Sequence, residues 1–168
     1  MLTGISGIDA SGKGYITSQL ADRLSGKLNV AVINADGWLN LPSVRFASSD
    51  PARSFYDNGL RLGEMFERLV IPLRNTRNVD LVADHLAETA SSFIPYHYNF
   101  DDIDFILLEG IFLFKLAYAY FFDLRIWIEC LTDKAIERAV QRSQEGLGQR
   151  EPVKAYTRST SRPRPCIL

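Results

Sequence analysis

Cysteine is scarce in this chain: Cys130 and Cys166 are the only two in 168 residues, and they form no C-x-x-C pair. That excludes a disulfide framework and a cysteine zinc site. Long apolar runs are missing too, since none approaches the roughly 20 residues that a bilayer-spanning helix needs. Charge of neither sign dominates: 19 Lys plus Arg stand against 20 Asp plus Glu, a net charge of -1. Such a chain has no general attraction for nucleic acid or an anionic membrane, so the expected partner is a small molecule. The start, MLTGISG, lacks the charged and apolar regions of a signal peptide, and a reducing cytoplasm is the expected location.

What is present describes one globular domain. Hydrophobic residues make up 46%, with 11 Gly and 7 Pro, which excludes disorder and collagen. A core of this size needs neither metal nor disulfide to fold. Charge is uneven along the chain. Residues 154–168 carry four basic side chains and no acidic one, in a stretch (TRSTSRPRPCIL) without period 2 or period 3.6. The expected division is a domain over 1–156 and an irregular, shortened or frame-altered tail over 157–168.

Leu2 to Ile8 reads as a short strand ending in glycine, followed by a loop and a helix in which Ile16, Leu20 and Leu24 make a buried stripe and Gly26 is a left-handed cap. Asn29 to Asp36 (NVAVINAD) is a second β-branched run, and a loop with Pro42 and Pro51 follows. From Asn58 to Leu73, the apolar set Leu62, Met65, Phe66, Leu69, Val70, Leu73 steps by 3 and 1 alternately, which only a helix places on one face. DFILLEGIFLF (Asp104 to Phe114) is apolar on both alternate sets, as in a strand covered on both faces, and LRIWIEC (Leu124 to Cys130) is another. A last helix is expected from Thr132 to about Glu145, with Ile136, Ala139 and Val140 inward and Arg138 and Arg142 one turn apart. Strands alternating with helices predict an α/β, three-layer fold with a parallel sheet.

The strongest chemical signal is Gly7-Ile8-Asp9-Ala10-Ser11-Gly12-Lys13, which matches G-x-x-x-x-G-K between a strand and an amphipathic helix. The pattern matches the phosphate-binding loop of nucleotide-binding folds. In that loop backbone N–H groups surround a polyphosphate, lysine reaches the outer phosphates, and the helix N-terminus adds partial positive charge. The plainer reading is a glycine-rich turn with an exposed lysine. Gly14 and Tyr15 continue the candidate nucleotide site into the helix. The position after lysine ordinarily carries Ser or Thr to ligate magnesium, and here it is Gly14.

Two carboxylates complete the constellation. Asp36 closes the second strand in NADGWL and Glu109 lies in LLEGI. Parallel sheets bind ligands at the carboxyl ends of their strands, so both are expected on the edge where the loop lies. A carboxylate there can accept a substrate hydroxyl's proton as that oxygen attacks the γ-phosphorus, or hold magnesium directly or through water. Plainer readings stand beside these: Asp36 opening a turn with Gly37, and Glu109 a strand-end charge. Arg138 and Arg142 can offset charge on a transferring phosphoryl group, or simply cover a helix surface.

The combination GIDASGKGYIT, NADGWL, LLEGIFLF and DLRIWIECLTDKAIERAVQR, in that order, resembles the uridine kinase family of P-loop kinases, a group with phosphoribulokinase and pantothenate kinase relatives. The resemblance spans about residues 2–156. It implies a five-stranded parallel core, ATP with Mg2+ as phosphoryl donor, Asp36 as base at a small-molecule hydroxyl, Glu109 as a metal-associated carboxylate, and Arg138 and Arg142 as lid charges. The activity implied is an ATP-dependent phosphotransferase acting on a nucleoside or related hydroxyl. The alternative is a nucleotide-binding protein with little or no turnover.

The sequence departs from the family pattern in four places. Gly14 lacks the metal-binding hydroxyl. The family's Tyr-Asp-Tyr or Tyr-Asp-Phe stretch with its following His and Arg is represented by Pro95-Tyr96-His97-Tyr98, which makes Tyr96 and His97 the substrate-side candidates and a half-buried aromatic turn the plainer reading. The lid has Arg142-Ser143 and Glu145-Gly146-Leu147-Gly148 in place of Arg-Asp and Glu-Arg-Gly. Relatives also continue past REPVKAY, where this sequence turns to TRSTSRPRPCIL.

Overall fold

The computed structural model describes residues 1–86 and 90–141, so Arg142, Glu145 and the 157–168 tail lie outside the described residues. Four parallel strands form the main sheet in the order β2-β5-β1-β6: β1 (Leu2–Gly7), β2 (Val30–Asn34), β5 (Phe105–Glu109) and β6 (Leu124–Ile128). The resemblance implies a fifth; four are found among the described residues. β1 is buried along its whole length, as a central strand covered on both faces must be. Leu2, Ala31, Ile33, Ile106 and Leu108 enter the main core. Ile5 and Leu107, which alternate with them, are also buried, and α1 (Lys13–Leu24) packs against β1, β2 and β5.

The helix predicted from Asn58 begins instead at Leu62. It runs through α4 (Leu62–Met65), a π turn (Phe66–Val70) and α5 (Ile71–Thr76). All six apolar residues of the predicted stripe are buried. Pro72 explains the wide turn. Its ring would collide with the carbonyl four residues back in a regular helix, and the bonding shifts so that the Ile71 N–H reaches the Phe66 carbonyl. The stretch with Pro42 and Pro51 is helical rather than loop: proline stands first in α2 (Pro42–Arg45) and in α3 (Pro51–Asn58), where its missing N–H costs nothing.

Other expectations are corrected by tertiary packing. In α1 the buried residues are Lys13 and Thr17, while Ile16, Leu20 and Leu24 are half-buried, and Gly26 is not left-handed; the helix ends on Ser25 in right-handed geometry. The strand at Asp104 stops at Glu109, because the chain bends after Gly110 through Phe112 at φ 58° into α6 (Leu116–Ala119). α7 is described over Thr132–Gln141; it buries Ala135 and Ala139, leaves Ile136 half-buried and turns Val140 outward, because small residues allow it close to the loop after β1.

A second sheet was not anticipated. β3 (Val79–His85) and β4 (Ile94–Phe100) form an antiparallel pair separate from the main sheet, so Tyr96–Tyr98 belong to a strand and not a turn. The alternation in VDLVADH carries its signal: Val79 and Ala83 are buried while Asp80, Val82 and Asp84 face solvent. No helix among the described residues is long and apolar enough to cross a membrane.

Candidate functional site

The loop between β1 and α1 is built by backbone constraints that its sequence meets. Gly12 has φ 98°, a left-handed conformation that favours glycine, and Ala10 adopts φ 53° beside it. A side chain at Gly7 would press within 2.6 Å of the Ile128 carbonyl and 2.9 Å of the Ser11 hydroxyl. Gly12 precedes α1 without a side-chain cap, and no acidic residue occupies the first turn, so the N–H groups and positive end of the helix are open to an anion. Lys13 is buried, and its ammonium donates to the Ile8 carbonyl at 2.9 Å. Ile8, Asp9, Ala10 and Ser11 form the body of the loop; Gly14 and Tyr15 are exposed on the first helical turn.

Sheet register brings the carboxylates to this loop. Glu109 ends β5 opposite Ile5 of β1 and Asn34 of β2, and Asp36 lies two residues past Asn34 in the 3-10 turn Ala35–Trp38. The Asn34 side chain accepts the Asp36 backbone N–H at 2.7 Å and fixes that turn. Glu109 is buried, its carboxyl pushed up to about 7 first by loss of water and then by the Asp36 charge, with Lys13 opposing. Asp36 is raised for the same leading reason and pulled back by Lys13; its surface stays open to water, which tempers the rise. Two carboxylates thus share one ammonium. A carboxylate pair short of positive charge suits a divalent cation, for which Glu109 and Asp36 are the protein ligands available. No group of three such side chains is close enough to hold a metal among the described residues, so phosphate and water must supply the remaining oxygens.

Gly14 touches the same point. A Cβ there would stand 3.7 Å from Glu109 Oε1, an ordinary contact, so position 14 borders the Glu109 carboxylate. Arg138 reaches the loop from α7: its Nη1 is 3.5 Å from the Ala10 carbonyl, 3.4 Å from the Ser11 carbonyl and 3.8 Å from Cys130 Sγ. Beneath it Ala10, Ala135 and Ala139 pack together with Ile8 and Cys130. The structure therefore brings Lys13, Asp36, Glu109 and Arg138 to one end of the sheet.

The aromatic residues divide by strand alternation. Tyr96 and Tyr98 share a face of β4, with ring centroids 4.7 Å apart, and Tyr98 stacks on Trp38 of the Asp36 turn at 5.7 Å. His97 points the other way, where its Nε2 lies 2.5 Å from Asp80 at an exposed position. The structure thus separates His97 from Tyr96 and from the carboxylates. The histidine on the inner face is His85, which sequence reading passed over. Its ring stacks on Tyr96 at 5.1 Å, sits where a side chain on Gly37 would be (2.5 Å), and buries an Nδ1 that has no partner among the described residues. Its position at the end of an alternating run was the available signal.

The weakened acidity of Glu109 has a testable consequence for stability. The neutral form is favoured in the fold, so stability present below the ordinary value near 4.5 is lost as pH rises through about 7. Glu109→Gln keeps the shape without the titration. In urea unfolding without metal or nucleotide, the variant should match the parent at about pH 5 and exceed it by up to roughly 3 kcal/mol at about pH 8. A constant difference across that range would overturn the assignment.

No protein-family model matches the chain, and no curated protein matches it by sequence. Solved structures do. A candidate uridine kinase from Bacillus stearothermophilus superposes with a TM-score of 0.70 at 22% identity, covering 92% of this chain and 84% of that one. A candidate fructose transport system kinase from Silicibacter sp. TM1040 gives 0.69 at 20% identity, covering 95% and 78%. At such identities the likeness is one of fold: this chain shares with those structures an α/β fold built on a parallel sheet.

Proposed function

We propose that the protein is an ATP-dependent kinase of a small-molecule hydroxyl, of the uridine kinase type. The observation that carries this reading is the convergence of Lys13, Asp36 and Glu109 on the open N-terminus of α1. Phosphoryl transfer asks little covalent chemistry of a protein, and positioning with charge stabilisation supplies most of the rate. The loop amides from Ile8 to Gly14 hold the phosphates, those of Ala10 and Ser11 after leaving the Asp9 carboxylate and the Ile8 carbonyl to which they donate here. Lys13 releases the Ile8 carbonyl and follows the outer phosphate. Asp36, open to water and beside the inner aromatic face, takes the acceptor hydroxyl's proton. Glu109 and Asp36 would hold Mg2+, which when bound neutralises charge on the transferring group. Arg138 adds positive charge on the far side of the loop, and Tyr96, Tyr98 and His85 form the acceptor wall.

The test is a panel of nucleosides and sugars, with ATP binding measured separately from ATP consumption. Consumption that depends on one acceptor supports the reading; binding without consumption favours a nucleotide-binding protein of little turnover, which the bare Gly14 motivates. Gly14 can be examined directly. Gly14→Ser supplies an oxygen beside Glu109, while Gly14→Ala matches its effect on the helix, where glycine costs up to about 1 kcal/mol. The Ser variant should bind Mg2+ in the nucleotide complex at least roughly tenfold more tightly than the Ala variant. Equal affinities would mean that the ligands are complete without position 14.

A further inference from the structure

The acceptor wall hangs on a hairpin that belongs to no larger sheet, so something other than strand pairing must set its distance from Asp36. β4 covers one edge of β3. Along the other edge, the carbonyls of Val82 and Asp84 are taken by guanidinium groups: Arg68 Nη2 donates to Val82 at 3.2 Å, and Arg61 Nη2 donates to Asp84. Glu64 joins the two arginines, with Oε2 2.7 Å from Arg61 and Oε1 2.7 Å from Arg68. Burial alone would raise this carboxyl, but the two guanidiniums hold it below its usual value, so it stays charged. The trio does the work of a neighbouring strand with side chains.

Arg61 does more than cap an edge. Its backbone N–H donates to the Trp38 carbonyl at 2.8 Å, its Nε lies 3.5 Å from the Leu39 carbonyl, and its guanidinium lies over the Trp38 ring at 5.3 Å and the Phe93 ring at 4.6 Å. One side chain, 12% exposed, therefore touches the turn that carries Asp36, the end of β3 that carries His85, and Phe93 just before β4. A planar fork can meet Glu64, a carbonyl and two ring faces at once, and an ammonium cannot.

We propose that Arg61, braced by Glu64, is a positioning residue that sets the acceptor wall (Tyr96, Tyr98, His85) against Asp36. The word acceptor rests on the kinase reading, whereas the clamp itself does not. Misplacement of a reacting group by about 1 Å can cost a hundredfold in rate, so this contact bears on the acceptor and not on the nucleotide. Arg61→Gln should speed amide hydrogen exchange in Val79–His85 and Ile94–Phe100 by at least roughly tenfold, with β1 and β5 unchanged and ADP affinity within about twofold of the parent. Arg61→Lys should restore little of the protection. With ATP and uridine, or D-fructose if the parent prefers it, KM for the acceptor should rise about tenfold while KM for ATP holds. Exchange that rises equally in the hairpin and in β1 and β5 would mark Arg61 as a general stabiliser and overturn the proposal, as would no change in either. If Arg61→Gln does not fold, Arg68→Gln, which frees the Val82 carbonyl and one oxygen of Glu64 but keeps Arg61, must loosen β3 selectively or the proposal fails. A parent that phosphorylates neither compound counts against the kinase reading; the exchange result then decides the clamp alone.

Discussion

Lys13→Ala is expected to weaken ATP binding by about a hundredfold and to reduce any phosphoryl transfer by at least as much, because in the proposed kinase the ammonium follows the outer phosphate into the transition state. The environment of Lys13 adds a second consequence. The side chain is buried, so its loss is not confined to a solvent-facing loop. Its ammonium is also the positive charge that offsets both Asp36 and Glu109. Without it the two carboxylates face each other unscreened, and the Glu109 carboxyl rises further above about 7. The variant should therefore lose stability above neutral pH and regain it in mildly acidic buffer, where Glu109 is protonated. Urea unfolding at several pH values, with calorimetric titration of ATP, checks both parts. Parent-like ATP affinity would remove the loop from the phosphate site, and a pH-independent stability loss would mean that Lys13 acts by packing alone.

How far the sequence carried this depends on which physical constraint each residue answers to. The loop from Gly7 to Lys13 was legible because it is local: Gly12 needs a left-handed backbone and Gly7 a close approach, and both are written in the residue type. The helix face from Leu62 to Leu73 was legible because its period is strong, though not the π turn, which arises from a clash between Pro72 and the preceding turn. The proximity of Asp36 and Glu109 followed from a general rule about strand ends, and register supplies it here through Asn34 opposite Glu109. The aromatic face of the hairpin was obscured because adjacent residues of a strand face opposite ways. Without the hairpin, His97 beside two tyrosines looked like part of one cluster, and His85, eleven residues before Tyr96, looked like part of none. Arg61 was equally hidden, since its partners at Trp38, Asp84 and Phe93 are brought together by tertiary structure alone.

Asp36→Asn separates the two jobs that its carboxylate can do. The turn should survive, because it is fixed by the Asn34 side chain accepting the Asp36 backbone N–H and not by the carboxylate. Nucleotide affinity measured without Mg2+ should hold, since the loop amides and Lys13 are intact. Turnover should fall by about a hundredfold or more, as expected when a positioned base is removed. The fall should appear in kcat more than in the KM for ATP. A second readout is independent of catalysis. The Asp36 charge helps to hold the Glu109 carboxyl up, so its removal should move the Glu109-linked loss of stability to lower pH. Both effects together, with Mg2+ affinity of the nucleotide complex unchanged, support a carboxylate pair in which Asp36 is the base; a parallel loss of Mg2+ affinity makes it a metal ligand. The stability shift without a rate loss would leave the pair intact but make Asp36 a charge partner of Glu109, with the acceptor hydroxyl losing its proton elsewhere. Neither effect would reduce Asp36 to the opening residue of a turn, and Glu109 would then be raised by burial alone.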